Sequence, residues 1–134
     1  MSRLYTPEEE AKLRENGKRS ESQDIDPVPV VKLFATNGRA IWLLTELSPF
    51  YEGMAFGLCD LGMGCPELGD VYLPELEEIK QRNTGLPAVE RDDNFSPEHP
   101  LSIFTEAARL FGQITEDQVE LRAFSKTINP RNIS

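Results

Sequence analysis

Histidine and cysteine are nearly absent from this sequence: His99 is the single histidine, and Cys59 and Cys65 are the two cysteines. A structural zinc site normally takes four ligands, which a Cys-x5-Cys pair with one distant histidine does not supply. A hydrolase triad needs a nucleophile, a histidine and an acid held together, and Ser96 and Ser102 are merely near His99 in sequence. Two lone cysteines in a cytosolic chain read as reduced and structural. No apolar run approaches the roughly 18 residues of a membrane helix. Met1-Ser2-Arg3-Leu4-Tyr5 lacks the hydrophobic region of a signal peptide, so a cytoplasmic protein without a membrane partner is expected. The phosphate-loop pattern Gly-x-x-x-x-Gly-Lys-Ser/Thr and the acid ladder of an EF-hand are missing as well. No catalytic residue, metal or cofactor is therefore expected.

Positive charge is missing in one place only. Residues 40–78 hold eight acidic and no basic side chains, within a formal net charge of −9. The flanking thirds are nearly balanced, so eight of the nine net negative charges lie in the middle third. Such a field repels phosphate backbones and attracts basic surfaces. Basic patches for nucleic acid are not evident, since Lys18-Arg19 is short and flanked by acids. At 134 residues the chain suits one core.

Thr6-Pro7-Glu8-Glu9 signals a helix start with a capping box. The helix is expected to stop at Gly17 and, with few apolar residues, to form a loosely docked arm. Residues 1–25 read as this arm and a linker, 26–112 as the core domain, and 113–134 as a last helix and tail. Val28 to Ala35 reads as a strand, Asn37-Gly38 as a hairpin turn and Ala40 to Leu47 as the return strand with both faces partly covered. Met54 to Cys59 is expected as a third strand and Val71-Tyr72-Leu73 as a short fourth. A helix begins near Leu73, and Ala88 to Arg91 suits a short strand. Leu101, Phe104, Ala108 and Phe111 share a helical face, closed by Gly112. A helix opened by Thr115 is expected through Lys126, with Val119, Ala123 and Phe124 inward, and tail from Asn129. The fold class is α+β: a small antiparallel sheet of four or five strands with two or three helices on one face.

Phe56 to Gly69 is the most unusual segment, with Gly57, Gly62, Gly64 and Gly69 in fourteen residues. These glycines miss the dinucleotide-binding spacing. Asp60, Glu67 and Asp70 are the nearest thing to a carboxylate cluster. Asp60 reads first as a turn cap that bonds backbone N–H groups. Paired with Glu67, it could instead serve a metal-dependent enzyme or factor. Phe50 and Tyr51 lie in a loop beside acids, which suits a protein interface.

Three stretches carry a resemblance: Pro29 to Phe34, Ile41 to Leu47, and Phe56-Gly57-Leu58-Cys59-Asp60-Leu61-Gly62-x-Gly64-x-Pro66-Glu67-Leu68-Gly69. From Asp26 to about Gly112 the chain resembles a small bacterial and phage domain family of unknown function, found on plasmids, conjugative elements and phages. The resemblance implies a mobile-DNA context in a bacterial host, where small acidic proteins often block defence enzymes. Joined to the charge layout, it leads to a non-enzymatic acidic binding protein. Its expected partner is a basic protein surface, such as the nucleic-acid channel of a CRISPR effector or restriction nuclease. Glu46, Phe50, Tyr51, Glu52, Asp60, Glu67, Asp70, Glu75, Glu77 and Glu78 are the expected contact residues. An accessory subunit for plasmid or phage maintenance, assembled through Phe50, Tyr51 and the terminal helices, is the remaining alternative. The oligomeric state is left open.

Overall fold

The computed structural model describes residues 2–128, with side chains through Ser125. It contains helix α1 (Pro7–Arg19), strands β1 (Val31–Ala35), β2 (Ile41–Leu47), β3 (Met54–Asp60) and β4 (Glu67–Tyr72), helix α2 (Leu73–Glu78), strand β5 (Val89–Arg91), and helices α3 (Leu101–Phe111) and α4 (Gln118–Ile128). The strands form one antiparallel sheet in the order β4-β3-β2-β1-β5. The α+β class with five strands is therefore as expected. The tail from Asn129 lies outside the described residues.

Side chains alternate across a strand, and the register divides the core into two layers. Trp42 and Leu44 of β2 join Leu4, Leu13, Val31, Leu33 and Leu73 in one cluster, beneath α1 and α2. Leu43 of β2 and Leu58 of β3 join Phe104, Ala107, Ala108 and Leu121 in the other, beneath α3 and α4. Two helices thus share each face, rather than two or three on one face as expected, because β2 is apolar on both sides. Residues 41–44 read as covered on both sides because both sides are in fact packed.

The first helix is not a loose arm. Its capping box forms, with the Glu9 N–H donating to Thr6 Oγ1 at 3.1 Å and the Thr6 N–H to Glu9 Oε1 at 2.8 Å. Leu4 and Leu13 are fully buried. The helix runs through Gly17 to Arg19 rather than stopping there. Gly17 is needed for contact: a Cβ at that position would lie 1.9 Å from the Leu47 carbonyl oxygen. That close approach serves a break in the sheet. The pairing of β2 with β3 slips between Leu44 and Glu46, leaving Thr45 bulged. The Asn16 side chain donates to the Thr45 carbonyl at 2.9 Å, and Thr45 Oγ1 donates to Phe56 O at 3.3 Å. Sequence composition under-rates α1 because two leucines and a glycine–asparagine pair do the packing.

Two further expectations are corrected. The fourth strand spans Glu67–Tyr72, and Leu73 already belongs to α2. Glycine and acids in that stretch mask its strand character, which comes from pairing with Met54 to Cys59 of β3. Among the described side chains of α4 the buried residue is Leu121, whereas Val119 is 75% exposed and Ala123 is exposed too. The reason is a shifted cap: Asp117 Oδ1 accepts from the Val119 and Glu120 N–H groups at 2.9 and 3.0 Å. The start of α3 is capped from a distance. Asp26 accepts from the Ser102 N–H at 2.9 Å and from its hydroxyl, and Pro27 O accepts from the Leu101 N–H. This anchors the segment before β1 onto α3.

Candidate functional site

The acidic middle third folds into β2, β3, β4 and α2, which form one flank of the sheet. Glu46 faces Phe56 on β3, and Phe56 faces Asp70 on β4, so the three occupy one row. A cleft of about 310 Å³ borders this row, lined among others by Glu21, Glu46, Phe50, Phe56 and Asp70. Ser20 at the end of α1 donates its hydroxyl to Glu46 Oε2 at 2.6 Å and orients it.

The β2–β3 turn carries Phe50 and Tyr51, which are 74% and 69% exposed. Their N–H groups both donate to Ser48 Oγ at 3.1 Å, which fixes the turn and holds two aromatic rings in water. Glu52 follows them and lies 3.5 Å from the Arg14 guanidinium, which also bonds Glu10. Glu75 and Glu78 are exposed on α2, while Glu77 is half-buried and accepts from the Ser2 hydroxyl at 2.7 Å.

Asp60 does not belong to this surface. It is 3% exposed. Oδ1 accepts from the Gly62 N–H at 2.8 Å, and Oδ2 accepts from the Ile114 N–H at 3.0 Å. The first bond is the expected turn cap, completed by Gly62 at φ 80, a left-handed conformation that glycine adopts freely. The second bond was not legible, because Ile114 is 54 positions away. Asp60 therefore ties the β3–β4 turn to the connection between α3 and α4, and its charge is spent inside the fold.

The pairing of Asp60 with Glu67 fails on geometry. Glu67 sits opposite Cys59, one position before Asp60, so the two carboxylates point to opposite faces of the sheet. Among the described residues no group of three or more His, Cys, Asp or Glu side chains could hold a metal ion. His99 Nε2 is buried without a hydrogen-bond partner among them.

A family model described as a protein of unknown function (DUF2958) matches residues 4–115. The chain belongs to this DUF2958 family. No curated protein and no solved structure matches it. The DUF2958 match takes in α1, which the resemblance over residues 26–112 leaves out, in keeping with the buried seat of that helix. It ends before α4.

Within this DUF2958 chain, Cys59 is a poor nucleophile. Burial, with the Asp70 carboxylate adding to it, pushes its thiol up to about 11. Cys65 is exposed, and both cysteines are free thiols. Among the described residues no helix is long and apolar enough to cross a membrane. Leu68 and Tyr72 escaped the sequence reading, yet both are exposed on β4, flanking Asp70 on the same face. The alternation Leu68-x-Asp70-x-Tyr72 is the available signal, masked by the glycine and acids of residues 67–70, which have weak strand propensity.

Proposed function

We propose that this chain is a non-enzymatic binding protein that offers an acidic, aromatic-tipped flank to a basic surface of a partner protein. The observation that carries the reading is the row of Glu46 and Asp70 around Phe56, beside the exposed Phe50 and Tyr51, in a stretch of 39 residues without a basic side chain. Carboxylates supply attraction and orientation, and desolvated aromatic rings supply contact energy. The finer reading rests on the resemblance to proteins of mobile elements. There the partner is a host defence nuclease, and the flank occupies its basic nucleic-acid channel as a charge mimic, giving anti-CRISPR or anti-restriction activity. Asp60 is withdrawn from the contact set because it is buried.

The test compares the natural chain with a triple reversal, Glu46→Lys, Asp70→Lys and Glu75→Lys. Binding to purified CRISPR effectors and restriction nucleases, and inhibition of their cleavage, are measured from 50 to 500 mM salt. The natural chain should bind and inhibit, with affinity falling as salt rises. The triple variant should lose at least tenfold in affinity at low salt. Equal affinity and equal salt dependence of the two chains would end the acidic-surface reading. Salt-sensitive binding without inhibition would keep the surface and discard the nuclease.

A further inference from the structure

The two edges of the sheet are finished differently, and one is left open. β5 is three residues long, and Arg3 Nη1 donates to the Val89 carbonyl at 2.8 Å, covering that edge. β4 is six residues long and, among the described residues, pairs only with β3.

The phase of its hydrogen bonds follows from its neighbours. The Leu73 N–H donates to Gly53 O at 2.9 Å, and the Ser48 N–H donates to Met54 O at 2.8 Å on the other side of β3. In an antiparallel pair, bonded and non-bonded positions alternate. With Met54 opposite Tyr72, the bonded positions on β4 are Glu67, Gly69 and Val71. Leu68 and Asp70 therefore turn their N–H and C=O groups outward, away from β3, as Tyr72 turns its N–H, while the Tyr72 C=O accepts the first bond of α2. Their side chains lie on the face of Phe56 and Leu58, with Leu68 42% and Tyr72 44% exposed.

A bare row of this kind is a template for another strand. A second copy is a poor occupant. A two-fold antiparallel pair centred on the strand sets Asp70 opposite Asp70, and like charges directly opposite destabilise a pair. Each chain also carries a net charge of −9. A basic extended segment has the complementary charge.

We propose that β4 accepts an extended basic segment of a partner protein as a sixth strand, read through Leu68, Asp70 and Tyr72. This inference rests on the acidic-surface reading and adds its mode of contact. The register dictates the sequence read. A lysine or arginine opposite Asp70 places the residue two before it over Tyr72 and the residue two after it over Leu68. The recognised pattern is apolar-x-basic-x-apolar. The basic side chain enters the row of Asp70, Phe56 and Glu46, where a carboxylate stands on each side of an aromatic ring. Glu67 and Asp70 thereby repel a second copy and admit a basic strand.

The probes are fluorescein-labelled twelve-residue peptides with a central Val-Thr-Lys-Thr-Val. Controls carry the same residues scrambled, Glu in place of Lys, or N-methyl groups on the amides that face β4. Affinity is read by fluorescence polarisation, and amide hydrogen exchange of β4 is read by NMR. The patterned peptide should bind at least tenfold more tightly than the scrambled and N-methylated peptides. Exchange at Leu68, Asp70 and Tyr72 should slow by at least tenfold on binding. Asp70→Lys should reverse the preference toward the Glu peptide.

Salt-dependent binding equal for all the basic peptides, with no slowing at the three amides, would overturn strand addition while leaving the acidic surface in place. No binding of any basic peptide would overturn both. Slowing that rises with protein concentration alone would assign the edge to a second copy and overturn the proposal.

Discussion

The β5 edge and the β4 edge of this sheet face the same hazard, an exposed row of backbone groups, and meet it by different physics. At β5 the defence is steric and bonded. The strand is short, Arg3 caps a carbonyl, and Arg91 holds Glu9 through two bonds of 2.8 Å, tying α1 to the edge. At β4 the outward backbone of Leu68 and Asp70 meets no strand among the described residues, and the acids Glu67 and Asp70 stand on it. A bonded defence excludes every partner. An electrostatic one excludes acidic partners, including a second copy of the chain, and leaves basic ones free to dock.

The contrast breaks most severely at Gly17. Changing Gly17→Ala drives a Cβ into the Leu47 carbonyl and lifts α1 from the bulge. A loss at the upper end of about 1–3 kcal/mol is expected, read as a lower urea midpoint. Amide exchange should rise at β5 more than at β4, because only the β5 edge leans on α1. Equal exchange at the two edges would remove α1 as the guard of β5.

Asp60→Ala comes next. It strands the N–H groups of Gly62 and Ile114, the latter in a buried bond, and should remove about 1–3 kcal/mol. The loosening should appear at the β3–β4 turn and at the start of α4, with β5 unchanged. No loss of stability would show that water replaces the carboxylate.

The Glu9–Arg91 tie makes the β5 side sensitive to acid. Burial disfavours the charged Glu9, but hydrogen bonds from Arg91 and Thr6 and the Arg91 charge outweigh it and hold its carboxyl below the ordinary glutamate range. The unfolded chain thus binds this proton more readily. Stability from this pair is complete above the unfolded value and is lost as pH falls through the lower folded one. Urea midpoints measured from pH 7 to pH 3 should decline at the acid end, and Glu9→Gln should flatten part of that decline. An unchanged slope in the variant would assign the acid sensitivity to other carboxylates.

The smallest effect on stability belongs to Asp70→Asn. The side chain is exposed, so the change should stay within about 0.5 kcal/mol. Its consequence is association: sedimentation or light scattering at high concentration should show more self-association than the natural chain. If none appears, charge is not what keeps the β4 edge single.

Local chemistry carried much of the sequence reading. The capping box at Thr6 and Glu9, the α3 face of Leu101, Phe104 and Ala108, and the Asp60–Gly62 turn each depend on residues within a few positions of one another. Alternation at residues 41–44 foretold packing on both faces. What failed was non-local. Asn16 looks like the end of a helix until the Thr45 bulge stands beside it, and Gly17 looks like a stop until Leu47 does. Glu67 to Asp70 has weak strand propensity and becomes a strand through pairing with β3.

The amino-acid sequence alone determined that positive charge is absent from residues 40–78, that the core has one domain's worth of apolar side chains, and that turns and helix starts fall where they do. Only the tertiary structure decided which of those acids face water. Strand pairing sends Asp60 inward to Ile114 and Glu67 to the opposite face, and it leaves Asp70 on an open edge. The reason is that side-chain direction in a sheet has a period of two, so a single position of register moves a carboxylate from one face to the other.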